Sequence, residues 1–205
     1  MFRYDSPFMR FMALVANLIL LNLLWLITSL PLITAGASTT AMYFVVLQYV
    51  NKQDDALLKP YFRAFKENFK QATKIWIPHG LIGLALVAEC FYLTINETGG
   101  LWWLIFAVMA VVYLLISGML YPMLARYENT TRSIVLNSIN LSFRNALSML
   151  VTVILNFAPI GILMLDRTFF LKLLPLWTFG GFSLIAYLNA VVIMRIFKKY
   201  DKPEE

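Results

Sequence analysis

Apolar residues fall in six long runs separated by shorter polar stretches, at residues 11–32, 34–50, 75–95, 101–125, 147–165 and 173–196. A helix that crosses the ~30 Å hydrocarbon core of a bilayer needs about 20 mostly apolar residues, with about 17 to 25 tolerated. The pattern therefore predicts an all-α fold, a polytopic transmembrane helix bundle of about six spans, forming one integral membrane domain over residues 1–205. The second run is the weakest, because it is short and opens on the small, polar stretch TAGASTTA. Small residues are also what lets helices approach closely in lipid, where packing rather than water exclusion drives association.

Two of the polar stretches have a helical period of their own. Leu58, Tyr61, Phe62, Phe65, Phe69, Ala72 and Trp76 recur at steps of three and four, while Lys59, Arg63, Lys66, Lys70 and Lys74 form a second stripe about a third of a turn away. This predicts an amphipathic helix over 56–74, and the stretch 132–146 is expected to form a second. Such a helix can lie in the membrane interface with aromatics down and lysines toward anionic head groups. It can equally pack on the bundle as a solvated cytoplasmic helix, or offer its face to a partner protein. A shift of 78 residues lays Tyr43, Tyr49, Asn51, Leu58, Phe65, Lys66 and Gly83 on Tyr121, Tyr127, Asn129, Leu136, Phe143, Arg144 and Gly161. If this is a repeat, both copies keep one orientation, because the shift spans two crossings.

Composition supports the membrane reading. The chain is 60% hydrophobic and only 14% charged, with a mean hydropathy of +0.73, more apolar surface than a water-soluble exterior can carry. A lipid bilayer is thus the expected surrounding of most of the chain. The net charge of +6 would point to nucleic acid only if the basic residues clustered on one water-exposed face. They sit between apolar runs instead, and no nucleic-acid partner is expected. The single cysteine, Cys90, cannot form an internal disulfide and supplies no metal cluster.

The basic residues also set a topology. With the N terminus cytoplasmic and six crossings, the inner side holds Arg3, Arg10, Lys52, Lys59, Arg63, Lys66, Lys70, Lys74, Arg126, Arg132, Arg144, Arg195, Lys198, Lys199 and Lys202, which is 15 of the 17. Only Arg167 and Lys172 fall outside, as the positive-inside rule requires. Omitting the second span would invert every later loop, so both termini are expected to be cytoplasmic. The stretch WLITSLPLITAGA, residues 25–37, ends like a signal-peptidase site. Its apolar run of about twenty residues exceeds the 7 to 15 of a cleavable signal, and five more runs follow. It is read as the outer turn between the first two spans.

Candidate chemistry is sparse. His79 is the only histidine, and Glu89 is the one acid well inside a predicted span. An intramembrane charge is a functional candidate by default, although Glu89 is also near enough to the outer end to pair with Arg167 or Lys172. Asn17, Asn22, Asn156 and Asn189 are the other polar groups at membrane depth. They suit cross-helix hydrogen bonding or, if they converge, a polar path for a solute such as a sugar. No phosphate-binding glycine loop, HExxH helix or GxSxG elbow is present. No catalytic, cofactor-binding or metal-ligating residue is therefore assigned, and the chain is not expected to be an enzyme.

The stretch NLLWLITSLPLITAGASTTAMYFV resembles the YesL family of bacterial integral membrane proteins, domain of unknown function 624, in its early Asn and its S-L-P, T-A-G and A-x-Y groups. YFRAFKENFKQATKIW is similar to that family's second signature, a cytoplasmic F-K-x-N-F-K-Q-A run leading into a span. The resemblance implies a multi-pass protein of the bacterial cell membrane in Gram-positive species, encoded beside carbohydrate-uptake ABC transporters. It marks Pro31, Thr34 and Gly36 in the turn, and residues 65–71, as functional surfaces. The expected role is a non-catalytic accessory protein contacting permease subunits of a carbohydrate ABC transporter, with Phe62, Phe65, Lys66, Asn68, Phe69 and Lys70 as the partner surface. The alternative is a small stand-alone transporter or channel for a sugar or other polar solute.

Overall fold

The structure, a computed structural model, describes residues 7–52 and 56–201; Arg3 and Lys202 of the expected inner charges lie outside them. The elements are α1 (Pro7–Ser29), a 3-10 turn (Leu32–Thr34), α2 (Ala35–Val50), α3 (Leu58–Ile95), α4 (Gly100–Arg126), α5 (Thr131–Arg144), α6 (Ala146–Leu165), α7 (Arg167–Lys172), α8 (Leu174–Leu176), a π-helical turn (Trp177–Gly181) and α9 (Phe182–Tyr200). Among the described residues there is no strand. Five helical stretches are long and apolar enough to cross a membrane, and α5 with α6 make a sixth if that pair, bent by 102°, is one span.

Polarity runs opposite to that of a water-soluble protein. Asn22, Ser38, Thr40, Ser138, Ser142, Thr152, Ser183 and Asn189 are fully buried, while Leu81, Leu84, Phe91, Leu101, Leu104 and Ile154 point outward. Some of these hydroxyls bond within their own turn, Ser38 donating to the Thr34 carbonyl and Thr40 to the Gly36 carbonyl, while Ser142 and Ser183 donate across helices to the Leu115 and Leu18 carbonyls.

The weak second run turns out to be the centre of the bundle. Eleven of the sixteen residues of α2 are buried, and it packs against α1, α3, α4 and α9. Its small residues permit this: a Cβ added at Gly36 would stand 2.6 Å from the Trp76 Cβ and 2.9 Å from the Ala72 carbonyl oxygen. Here α2 and α3 approach at a distance only glycine allows.

The expected amphipathic helix over 56–74 is not a separate element. It is the first half of α3, which runs 38 residues without a break and passes through Pro78. The segment KENFKQATKIWI contains good helix formers and no glycine, so nothing in it ends the helix. Its aromatic stripe packs on the protein, with Tyr61 fully buried and Phe65 and Phe69 against the core.

The turn over residues 25–37 also sits elsewhere than expected. The Trp76 indole donates to the Leu32 carbonyl at 2.7 Å, and the Thr28 and Tyr61 hydroxyls are 2.6 Å apart. The turn thus meets α3 at its midpoint, where the inner helix was expected to give way to the third span. Nineteen more residues of α3, about 28 Å at 1.5 Å each, continue beyond it and pack on α4.

The second expected amphipathic helix does form, as α5, and the hairpin of α4 with α5 parallels that of α2 with the first half of α3. The parallel ends at Asn145, whose ψ of 35° breaks the helix before α6. The matching position in the first copy is Glu67, a far better helix former.

Gly36→Ala is expected to force α2 and α3 apart and to destabilise the protein by about 1–3 kcal/mol, the usual cost of overpacking. Thermal unfolding in detergent, followed by loss of the monodisperse species, measures it.

Candidate functional site

Residues from four elements meet at the basic end of the bundle. Arg126, in the last turn of α4, pairs with Asp201 just beyond α9 at 2.6 Å, and the Tyr127 hydroxyl donates to the other oxygen of the same carboxylate at 2.6 Å. The guanidinium also lies over the rings of Phe197 and Tyr127, at 5.3 and 5.6 Å. Partial burial, then the facing Asp201 carboxylate, pushes the Tyr127 phenol up to about 12, so it stays a neutral donor across the physiological range.

This clasp forms one wall of a cleft. Two adjoining hollows, about 440 and 670 Å³, share Phe44, Ala125, Arg126 and Tyr127. Leu47, Gln48 and Asp201 complete the first, while Glu67, Asn68, Gln71 and the segment Glu128–Thr130 line the second. Gln71 donates from Nε2 to the Asn129 carbonyl at 2.8 Å, which ties α3 to the α4–α5 connection. Arg63 covers Phe44 at 5.7 Å.

The six residues expected to face a partner divide. Asn68 lines the cleft, with its amide donating to Ala64 of its own helix. Phe62, Lys66 and Lys70 are exposed. Phe65 and Phe69 stack on each other at 5.7 Å and are partly buried against the core.

The intramembrane asparagines converge only in part. Asn22 is used up as a splice: its amide nitrogen donates to the Trp177 and Thr178 carbonyls at 3.1 and 2.7 Å, and its oxygen accepts the Ser183 backbone N–H at 3.0 Å. The π turn at 177–181 departs from the α-helical bonding pattern, and Asn22 bonds carbonyls on it. Asn189 donates to Asn156 at 3.1 Å and to the Tyr43 hydroxyl at 3.3 Å, beside a cavity of about 160 Å³ lined by Trp25, Tyr43, Asn156 and Pro159. Asn17 is half-buried on α1.

His79 and Glu89 stay apart on one helix, ten residues or about 15 Å along it. The imidazole stacks on Tyr113 at 4.5 Å and its Nε2 lies 3.1 Å from the Ser117 hydroxyl. Glu89 is half-buried and has no ion-pair partner among the described residues, so the pairing with Lys172 does not form; the Arg167 side chain is outside what the structure describes. Among the described residues no three His, Cys, Asp or Glu side chains gather as metal ligands. In the turn, the Thr34 hydroxyl donates to the Thr28 and Pro31 carbonyls, closing the end of α1.

The close-packed turn, the Gly36 contact and the Asn68–Gln71 wall all fall within one continuous stretch. Residues 18–90 match the family described as protein of unknown function, DUF624. The resemblance carried by the turn and by the F-K-x-N-F-K-Q-A run is borne out over that stretch, which covers α2 and most of α1 and α3. No curated protein and no solved structure matches the chain.

Sequence reasoning missed Arg126, Tyr127 and Asp201 because their partnership joins positions 75 residues apart. Gln71 lies inside the quoted motif run and could have been found there. Asn22→Leu would strand the Ser183 N–H and two carbonyls, and is expected to lower stability by about 1–3 kcal/mol. Asn156→Leu, which leaves Asn189 its Tyr43 partner, should cost less. Parallel melting curves in one detergent compare them.

Proposed function

We propose that the chain is a non-catalytic accessory protein of the bacterial cell membrane that docks on permease subunits of a carbohydrate-uptake ABC transporter. The observation that supports this most is the cleft at the basic end, because Asn68 and Gln71 of the DUF624 segment help to build it. It sets the Phe44 and Tyr127 rings beside the amides of Gln48, Asn68 and Gln71 and the carboxylates of Glu67 and Glu128, a composition suited to a helix or loop carrying basic and amide groups. In this reading Asn68 meets the partner inside the cleft, and Phe62, Lys66 and Lys70 extend the surface over other exposed positions of α3. Phe65 and Phe69 hold it in place from beneath. In this reading the basic end faces the cytoplasm, as the positive-inside rule favours, and both termini lie there.

The stand-alone transporter reading draws on the Asn156, Asn189 and Tyr43 group beside its small cavity. Asn22, the other deeply buried asparagine, bonds the π turn instead, so the four do not form one polar path.

Purification in mild detergent followed by mass spectrometry should recover permease subunits with the wild-type chain. Gln71→Ala combined with Asn68→Leu is expected to cut that recovery several-fold while leaving the monodisperse protein intact. Recovery of the protein without permease chains, or undiminished recovery with the double variant, contradicts the proposal.

A further inference from the structure

An apolar concavity lies away from the cleft, on the flank where α5 leans against the α3–α4 hairpin. It measures about 560 Å³, within the ~300–1,000 Å³ of sites that take small ligands. Its wall is almost wholly aliphatic, with Ile82, Leu86, Met109, Val135 and Ile139 among its lining. The two polar rings in its middle, His79 and Tyr113, are occupied with each other and with Ser117, the imidazole stacking on the phenol ring and the Tyr113 hydroxyl donating to the His79 carbonyl. Polar groups recur only at one end, where Lys74 and Thr131 stand on facing helices.

The groove is therefore itself amphiphilic. From Lys74 to Leu86 it follows α3 for twelve residue steps, about 18 Å, close to the ~15 Å of one leaflet of the hydrocarbon core. Lys74 is exposed and has no ion pair among the described residues. Arg132, beside Thr131, is exposed and likewise unpaired among the described residues. A cation at one end of a leaflet-long apolar slot calls for an anion joined to an acyl chain.

We propose that this groove binds an anionic membrane lipid, one acyl chain lying between α3, α4 and α5 and the headgroup phosphate resting at Lys74. The chain fills a slot that protein side chains leave open, and the headgroup neutralises a lysine that has no ion pair among the described residues. Occupancy would also brace α5 against the hairpin, since Val135 and Ile139 of α5 would touch the same chain as Ile82 of α3. This inference is independent of the permease reading, because it concerns a different face.

The test is lipid retention. Protein extracted in mild detergent is incubated with equal phosphatidylglycerol and phosphatidylcholine, re-purified, and its bound lipid counted by native mass spectrometry. The expected result is one retained phosphatidylglycerol, preferred several-fold over phosphatidylcholine. Lys74→Gln should abolish the preference, and Ile139→Trp or, if that variant does not fold, Met109→Trp should abolish retention of both. Equal retention of the two lipids by the wild type overturns the proposal. So does a preference that survives Lys74→Gln, retention that survives filling of the groove, or a co-purified protein helix in place of lipid.

Discussion

The bundle depends on the close approach of α2 to α3 at Gly36. Two helices with ordinary side chains pack 8–10 Å apart, and a Cβ at position 36 already collides with Trp76 and with the backbone at Ala72. Glycine removes that obstacle, and the approach lets the Trp76 indole reach the Leu32 carbonyl. That bond fixes the α1–α2 turn against the middle of α3. From there α2 can touch α1, α4 and α9 at once, and the first half of α3 is drawn out of the interface into the protein. The cleft at the basic end follows, since its walls are the faces of α2, α3 and α4 that this arrangement brings together.

Polar groups in the interior act as fasteners between helices and at irregular points within them. Asn22 bonds the π turn, Thr34 closes the end of α1, and Ser142 of α5 donates to the Leu115 carbonyl of α4 at 3.0 Å. Each contributes modestly, on the order of 1 kcal/mol in a membrane setting. Glu89 contrasts with them, half-buried on an apolar hairpin and without such a bond among the described residues.

The helical class and the spans were legible because hydropathy over twenty residues is a strong signal, and α1, α4 and α9 follow it closely. Counting basic residues retained α2 when its own sequence argued weakly for a span. What periodicity could not show was whether the stripe of Tyr61, Phe65 and Phe69 met lipid or protein, since both reward the same apolar face. Nor could it show that 56–74 and 75–95 form one helix, because a change in composition from amphipathic to apolar is not a break in the backbone. In the candidate site, Asn68 was legible from the motif, and Gln71 lay within the same run. The Arg126, Tyr127 and Asp201 clasp was not, because nothing local pairs residues so distant in sequence.

The central claim, that the α1–α2 turn meets the midpoint of α3 rather than its far end, is open to one distance measurement. Spin labels at Leu30 and Ile95, both exposed at 78% and 77%, can be compared by double electron–electron resonance in nanodiscs. The account predicts a well-defined separation of more than about 20 Å, set by the nineteen residues of α3 beyond Trp76. A short separation with strong dipolar broadening would place the turn beside the α3–α4 connection and contradict it.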